Sequence, residues 1–375
     1  MQALKLHQLS DLSRIEDRSF KVALRQFTGE QTVSDKKYMV LMPDVISNPD
    51  IEMAVFGEQF QMITPNASNV DDISLDVWHS ADAIMAWHTL QYNTELIKQL
   101  DNCKIFIRFG VGFDNVDLKS AGAQGIIVSN VPDYGTTDVA DHAIALLLSF
   151  SRGIYAYSES VINNQWHWQQ AGTLKRLSGA TMGIIGLGRI GTATALRAKG
   201  LEMKILFYDP YLPEGVDKAL GVGRCYELNE LLAQSDAVSV HTPLTDETSS
   251  MANRNFFKAM KPGSIFINTA RGQIVDPVAL YDTLKSGHLA AAGVDVWPTE
   301  PPFDSDPLIK AWRAGEPWIK HRFILTPHSA FYCQESWEEL RMKGAMEVKR
   351  VLNGEKPRSC VNSEWLVNPR YQKGS

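Results

Sequence analysis

Thr181-Met182-Gly183-Ile184-Ile185-Gly186-Leu187-Gly188-Arg189-Ile190-Gly191 is the stretch that decides the fold of this chain. Its apolar start predicts a strand over 181–185, and the residues from Thr192 to Gly200 predict a helix. The G-x-G-x-x-G pattern therefore falls on a strand-to-helix turn, the context in which it marks a dinucleotide site. Gly186 permits the tight turn, Gly188 lets the backbone approach a pyrophosphate, and Gly191 permits close helix–strand packing. Arg189 and Ile190 open the helix, whose free N–H groups and positive dipole end suit phosphates. A second strand, Ile205 to Tyr208, delivers Asp209 at 209 − 191 = 18 residues past the last glycine, near the position of a carboxylate that binds ribose hydroxyls. That carboxylate would repel a 2′-phosphate, and Pro210 and Tyr211 follow it where an arginine would be wanted. NAD is the expected cofactor.

Composition frames this core. The 375 residues suffice for two domains, and 44% hydrophobic content is that of a globular chain. A net charge of −6 with scattered Lys and Arg offers no basic surface, so no direct nucleic-acid contact is expected. Cys103, Cys225, Cys333 and Cys360 lie far apart without a C-x-x-C pair, which suggests neither a zinc site nor a disulfide framework, and no metal is expected. A cytoplasmic location follows. The N-terminus carries Lys5, Asp11, Arg14, Glu16 and Asp17 without a continuous apolar core, and the longest apolar run, Ala143 to Leu148, is too short to span a bilayer. Neither export nor a membrane is expected.

Two sets of βα alternation run along the chain. Tyr38 to Met42, Ala83 to Ala86, Lys104 to Arg108 and Gly125 to Val128 predict one parallel-sheet lobe, with a helix-like stretch from Thr94 to Leu100. The second set adds Ala237 to His241, Ser264 to Asn268, Ala291 to Val296 and Phe323 to Thr326 to the two strands above. Six strands at this spacing predict a doubly wound nucleotide fold. Ser336-Trp337-Glu338-Glu339 is an S-x-x-E capping box ahead of an amphipathic helix that runs to about Asn353 and stops at Gly354. That helix is expected to return to the first lobe, with a helix from about Val139 to Arg152 as the outward crossing. The expected fold is α/β: two doubly wound parallel-sheet lobes, a Rossmann NAD-binding domain (142–333) inserted into a flavodoxin-like substrate domain (38–141 and 334–365). Residues 1–37 form an N-terminal extension and 366–375 a tail.

Three polar residues fall at strand ends, where ligands of such folds bind. Moving a hydride from a carbinol carbon to nicotinamide needs a base to take the hydroxyl proton, and the reverse needs an acid in the same place. His328 can do both near neutral pH, Glu300 would favour the imidazolium and fix its tautomer, and Arg271 can hold a carboxylate and polarise the reacting carbonyl. In the first lobe the strand ending Arg108-Phe109-Gly110-Val111-Gly112 exposes N–H groups that can bind a carboxylate, which places substrate at Val111 and Gly112 with Arg108 nearby.

Beyond this residue-by-residue reading, the chain from about 38 to 362 resembles the D-isomer-specific 2-hydroxyacid dehydrogenases. The likeness runs through Arg108-Phe109-Gly110-Val111-Gly112-Phe113-Asp114-Asn115-Val116-Asp117, the glycine loop, Asn268-Thr269-Ala270-Arg271-Gly272, Gly293 to Pro301 and Thr326-Pro327-His328. Within the family it is similar to the C-terminal binding proteins at Trp87-His88-Thr89, Ala195 to Lys199, Phe207 to Tyr211 and Ser359 to Asn362. The resemblance implies that His88 faces the pocket, although the sequence suits a buried structural histidine nearly as well. It also implies that Asp295 bonds the nicotinamide carboxamide, against a plain role as a strand-end cap, and that Thr242-Pro243 forms an adenosine-side wall. Ala270 is counted with these cofactor contacts. A homodimer is likewise implied.

Two departures bear on substrate. Phe331, followed by Tyr332, stands where the corepressor-like branch usually carries tryptophan, and with Trp87 these would line a pocket for an apolar side chain. Extra residues between Glu300 and His328 fall near 311–318, with Trp312 and Trp318, and read as a lid, a partner contact or packing against a neighbouring subunit. The expected activity is NAD-dependent reduction of a 2-keto acid or oxidation of a 2-hydroxy acid. The competing expectation is a dinucleotide-sensing interaction protein of the corepressor kind, against which stands the absence of a long Pro/Ser-rich tail before Ser375. Formate dehydrogenase chemistry would call for glutamine in place of Glu300.

Overall fold

A computed structural model describes residues 37–371, so the extension assigned to 1–37 falls, but for Lys37, outside the described residues, as do 372–375 of the tail. Five parallel strands make the first sheet: β1 (Tyr38–Leu41), β2 (Phe60–Ile63), β3 (Ala83–Ala86), β4 (Ile105–Arg108) and β5 (Ile127–Asn130), in the order β2-β1-β3-β4-β5. This is the flavodoxin-like order. The short sequences Ala-Ile-Met-Ala and Ile-Phe-Ile-Arg are buried at every position. Unbroken burial of that kind is what a parallel sheet covered on both faces demands. Val40, Met85, Ile105 and Ile107 point into one core, and Leu41, Ile84, Phe106 and Val128 into the other, the alternation of a strand.

The second sheet comprises β6 (Thr181–Ile185), β7 (Lys204–Tyr208), β8 (Gly223–Arg224), β9 (Ala237–Val240), β10 (Ser264–Asn268), β11 (Leu289–Val294) and β12 (Phe323–Leu325). Its order is β12-β11-β10-β9-β6-β7-β8, all parallel, the doubly wound nucleotide arrangement with its switch point between β6 and β9. It has seven strands where the sequence predicts six. The unanticipated β8 is two residues long and lies at the sheet edge, too short to show a period. The unanticipated β2 is likewise an edge strand with an exposed glutamine at its second position.

Helix α1 (Asp50–Phe56) follows β1, α2 (Thr136–Ser151) leads from the first sheet to the second, α3 (Ile154–Ile162) follows it, α4 (Arg189–Gly200) follows the glycine loop, and α5 (Gln334–Leu352) follows the last strand. Leu340, Ala345, Val348 and Val351 of α5 fill one core of the first sheet. Gly344 is required there, because a Cβ would meet the Phe109 ring at 2.6 Å. Arg341 adds a two-pronged ion pair to buried Glu52 of α1, at 2.9 and 2.6 Å. The α5 cap lies one turn earlier than the sequence predicts. Cys333 is the N-cap, and Ser336 is the third helical residue, whose hydroxyl accepts from the Cys333 N–H at 3.0 Å while its own N–H points at the Cys333 sulfur at 3.2 Å. Cysteine lies outside the usual N-cap residues, so the pattern locked onto the next serine.

Trp312 and Trp318 also find their place within this chain. The first packs edge-on against Phe323 at 5.5 Å and the second against Tyr281 at 5.4 Å, both on the core of the second sheet. Both indoles are half-buried, so part of each ring packs on the chain's own core. Among the described residues no helix is long and apolar enough to cross a membrane.

Candidate active site

The glycine loop joins β6 to α4. Gly186 holds φ 85°, the left-handed conformation glycine tolerates best. A Cβ at Gly191 would lie 2.0 Å from the Gly186 carbonyl oxygen, whereas one at Gly188 would meet nothing within 4 Å. The loop therefore closes tightly on itself at its third glycine and opens a space at its second. Asp209, just past β7, accepts from the Leu187 N–H at 3.0 Å and from the Tyr211 N–H at 3.1 Å, so its carboxylate sits against the loop.

A cleft of about 320 Å³ runs between the ends of the two sheets. Val111, Gly112 and Asp114 line it from the first sheet; Gly188, Arg189, Ile190, Thr242, Pro243, Ala270 and Arg271 line it from the second. Thr242 and Thr269 each present a buried hydroxyl oxygen without a partner, and both residues line the cleft. Open space at Gly188, two orphaned hydroxyls and the Asp209 carboxylate together fit a dinucleotide.

Sheet order brings the polar strand-end residues together. Arg271 follows β10, Glu300 follows β11 and His328 follows β12, and these strands are neighbours. His328 Nδ1 lies 2.7 Å from Glu300 Oε2. The other Glu300 oxygen accepts from the Trp297 N–H at 3.0 Å, which fixes the carboxylate. Burial would raise the Glu300 pKa, but the bond and charge of His328, the Trp297 N–H and Arg271 outweigh it and hold the carboxyl below its usual range. His328 sits at φ 52°, its N–H bonded to the Asp295 carbonyl at 2.8 Å.

Asp295 is almost fully buried. Its carboxylate accepts from the Ser329 N–H at 2.9 Å, the Ala330 N–H at 2.8 Å and the Thr326 hydroxyl at 2.5 Å. Those bonds tie the turn bearing His328 to β11. Sequence reasoning offered Asp295 a capping role, and this is the place it caps.

On the facing side, His88 packs against His328 with ring centroids 4.5 Å apart and ring planes tilted by 33°. Burial, then the charges of His328, Arg108 and Arg271, push the His88 pKa down to about 3, against a smaller opposing pull from Asp114, so the ring is neutral. Its loop is pinned twice: buried Asp44 accepts from the Trp87 N–H at 2.9 Å and from the Thr89 hydroxyl, while Asn115 donates to the Trp87 and Leu90 carbonyls at 3.1 and 2.8 Å. Arg108 is buried, donates to the Phe109 carbonyl at 2.6 Å and leaves its Nε without a partner; burial and the nearby Arg271 lower its pKa to about 10. Donor atoms of His88, Glu300 and His328 lie within 4.8 Å of one another, but the two guanidiniums oppose a cation there.

Arg271 donates from Nε to Asp114 at 2.8 Å and from Nη1 to the Ala270 carbonyl at 2.7 Å. Its Nη2 passes so close to Gly112 that a Cβ there would lie 1.4 Å away. Gly112 is thus occupied by a guanidinium. Asp114, the partner, escaped sequence reasoning because the contact joins residues 157 positions apart. Phe331 stands between Trp87 and Tyr134, at 5.5 and 6.0 Å. Trp87 is nearly buried among Phe109, Phe331 and Trp337, Tyr332 is 60% exposed, and none of Trp87, Phe331 and Tyr332 is among the residues that line the cleft.

Residues 144–330 match the family model described as "D-isomer specific 2-hydroxyacid dehydrogenase, NAD binding domain". The chain is 37% identical over 281 residues to D-3-phosphoglycerate dehydrogenase of Archaeoglobus fulgidus, covering 75% of this chain and 51% of that protein. It is 33% identical over 328 residues to C-terminal-binding protein 1 of Caenorhabditis elegans, covering 84% and 44%. The chain spans about half the length of these curated relatives. Among solved structures, D-lactate dehydrogenase of Aquifex aeolicus complexed with NAD and lactic acid superposes with a TM-score of 0.75 at 28% identity, covering 84% of this chain and 96% of that one.

Proposed function

Because the chain belongs to the D-isomer-specific 2-hydroxyacid dehydrogenase family and carries its NAD-binding domain, we propose that it interconverts a 2-hydroxy acid and the corresponding 2-keto acid. The observation that carries this reading is the His328–Glu300 pair at 2.7 Å, standing beside Arg271 on successive strand ends at a dinucleotide cleft. NAD, when bound, supplies or accepts the hydride at C2. Gly186, Gly188, Arg189, Ile190 and Gly191 would hold its pyrophosphate and Asp209 its ribose. Thr242, Pro243 and Ala270 would face the rest of the cofactor, and Asp295 would support the nicotinamide end through the turn it ties down.

In reduction, His328 gives a proton from Nε2 to the keto oxygen, the nitrogen left free by the Nδ1 bond to Glu300. In oxidation the same nitrogen takes the hydroxyl proton. Glu300 holds the imidazole in that orientation and offsets the positive charge. Arg271 holds the substrate carboxylate and polarises the carbonyl, while Val111 and Gly112 offer N–H groups and Arg108 a buried positive charge. Neutral His88 adds no charge beside His328.

The same reading divides the chain into a substrate domain (38–141 and 334–365) and an NAD-binding domain (142–333), supported by the separate cores of the two sheets. A homodimer is supported by the apolar residues that α3 and its following loop leave exposed, Ile154, Tyr155, Val161, Ile162, Trp166 and Trp168. A cytoplasmic location is supported by four unpaired cysteines. NADH oxidation across a panel from glyoxylate and pyruvate to phenylpyruvate and 4-methylthio-2-oxobutyrate, alongside His328→Ala, tests the activity. Fast turnover that disappears in the variant is the expected result. Tight NADH binding without turnover on any acid would favour the dinucleotide-sensing alternative.

A further inference from the structure

One guanidinium, Arg271, and one fixed carboxylate, Asp114, line the cleft, with a second guanidinium, Arg108, buried close by. Arg271 has three donor positions there. Nε is taken by Asp114 and Nη1 by the Ala270 carbonyl, leaving the Nη2 edge, which lies over Gly112. The second guanidinium, Arg108, is buried behind Gly110, where a Cβ would lie 1.8 Å from its Nη1. Asp114 is held firmly: its neighbour Asn115 is buried and bonded to the carbonyls of Trp87 and Leu90, and the Asn115 carbonyl accepts from the Tyr92 N–H at 2.8 Å. The Asp114 carboxylate stays one-third exposed and lines the cleft, so it faces whatever enters. The charge and hydrogen bond of Arg271 outweigh its partial burial and keep Asp114 ionised well below neutral pH.

We infer that Asp114 is a specificity-determining residue that reserves this cleft for acids with a single carboxylate. One carboxylate meets the Nη2 edge of Arg271 and the N–H groups at Gly112. A second carboxylate on the same carbon would be driven toward the Nε edge, where it would find Asp114 already bound and would be repelled by it. Discrimination thus arises from a like charge placed against the wrong ligand as well as from contacts to the right one. Asp114 also settles the guanidinium in one orientation before substrate arrives, which makes it a positioning residue for Arg271. The inference rests on the proposal that Arg271 receives the substrate carboxylate.

The test is calorimetric titration of the NADH-bound protein with oxamate, which has one carboxylate, and tartronate, which has two on the carbinol carbon. The wild type is expected to bind oxamate at least tenfold more tightly than tartronate. In Asp114→Asn, which keeps the shape and loses the charge, that ratio is expected to fall about tenfold because tartronate binding improves. Asp114→Ser provides a second, smaller neutral side chain with the same expectation. A ratio unchanged in both variants, or a parallel loss of both acids, overturns the inference and leaves Asp114 a partner of Arg271 with no part in specificity. Wild type that binds NADH and neither acid would instead overturn the carboxylate role of Arg271, and the inference with it. Turnover on glyoxylate and mesoxalate, the keto acid with both carboxylates on the reacting carbon, gives the same ratio kinetically, and a structural lesion would lower both rates together.

Discussion

Gly112→Ala probes the Arg271–Asp114 pair, because the new methyl group lands on the guanidinium and comes within 3.0 Å of the Asp114 carboxylate oxygen. Gly112 has no left-handed backbone to strain, and a Cβ would lie 1.4 Å from Nη2 and 2.5 Å from Cζ. Ordinary contact begins near 3.4 Å, so Nη2 must retreat by at least 3.4 − 1.4 = 2.0 Å. A shift of that size breaks the 2.8 Å bond from Nε to Asp114. With the partners' side chains 18% and 33% exposed, water screens much of that pair, and its loss costs the fold only about 1 kcal/mol. The catalytic effect is larger, since a misplacement of about 1 Å can cost ~10²-fold in rate. Gly112→Ala is therefore expected to lower kcat/KM for a 2-keto acid by about 10²-fold, equivalent to ~2.7 kcal/mol of barrier. Steady-state NADH oxidation reads the loss. Fluorescence titration should show NADH affinity within about twofold of the wild type, because neither the glycine loop nor Asp209 is disturbed. Turnover at the wild-type level would refute the reasoning, since it would mean that the guanidinium works equally well from another position.

Two of the loop glycines should respond differently: Gly188→Ala should keep the wild-type Tm and lose NADH binding, since its methyl enters open space meant for the pyrophosphate, whereas Gly191→Ala, 2.0 Å from the Gly186 oxygen, should lower Tm. Equal melting of the two variants would contradict this. Glu300→Gln removes the carboxylate bonded to His328 and should move the alkaline limit of keto-acid reduction to lower pH; an unchanged profile would take Glu300 out of the proton transfer. Asp209→Ala should raise the preference for NADPH relative to NADH in binding titrations, while slackening the loop whose Leu187 N–H it accepts; an unchanged ratio would mean that the ribose lies elsewhere. Half-buried His241 and His88 have pKa values lowered, mainly by loss of hydration, to about 4 and about 3, so both are neutral in the fold and protonate in the unfolded chain below about pH 6.5. Stability from them is whole above that pH and is lost as pH falls toward 4 and then 3, at up to ~1.4 kcal/mol per unit for each. Urea unfolding of His241→Gln at pH 6.5 and 5 should show about 2 kcal/mol less acid destabilisation than the wild type; parallel losses would refute the assignment.

The strands were legible because parallel strands buried on both faces are written as short apolar runs, and runs such as Ile105–Arg108 and Ser264–Asn268 stand out against their polar flanks. The glycine loop was legible because its constraints are local: a left-handed turn at Gly186 and a 2.0 Å approach at Gly191 leave no other residue. Edge strands β2 and β8 were not, since a strand paired on one side needs less apolar sequence and shows less of it. The α5 cap slipped by one turn because a cysteine did the work of a serine.

By itself, then, the sequence determined which residues stand at strand ends, since that depends on periodicity within ten residues or so. Only the tertiary structure decided what those residues touch. That Asp114 would grip Arg271, that Asp295 would bind the turn carrying His328, that Asp44 and Asn115 would brace the His88 loop, and that Trp312 and Trp318 would face the chain's own core are outcomes of strand order and lobe closure. The hydrogen-bonded contacts join segments from 25 to 157 residues apart, and the tryptophan contacts hang on side-chain directions that no local pattern records. Hydrogen bonds and ion pairs act over about 3 Å, so they become readable only after the sheet has placed its ends side by side.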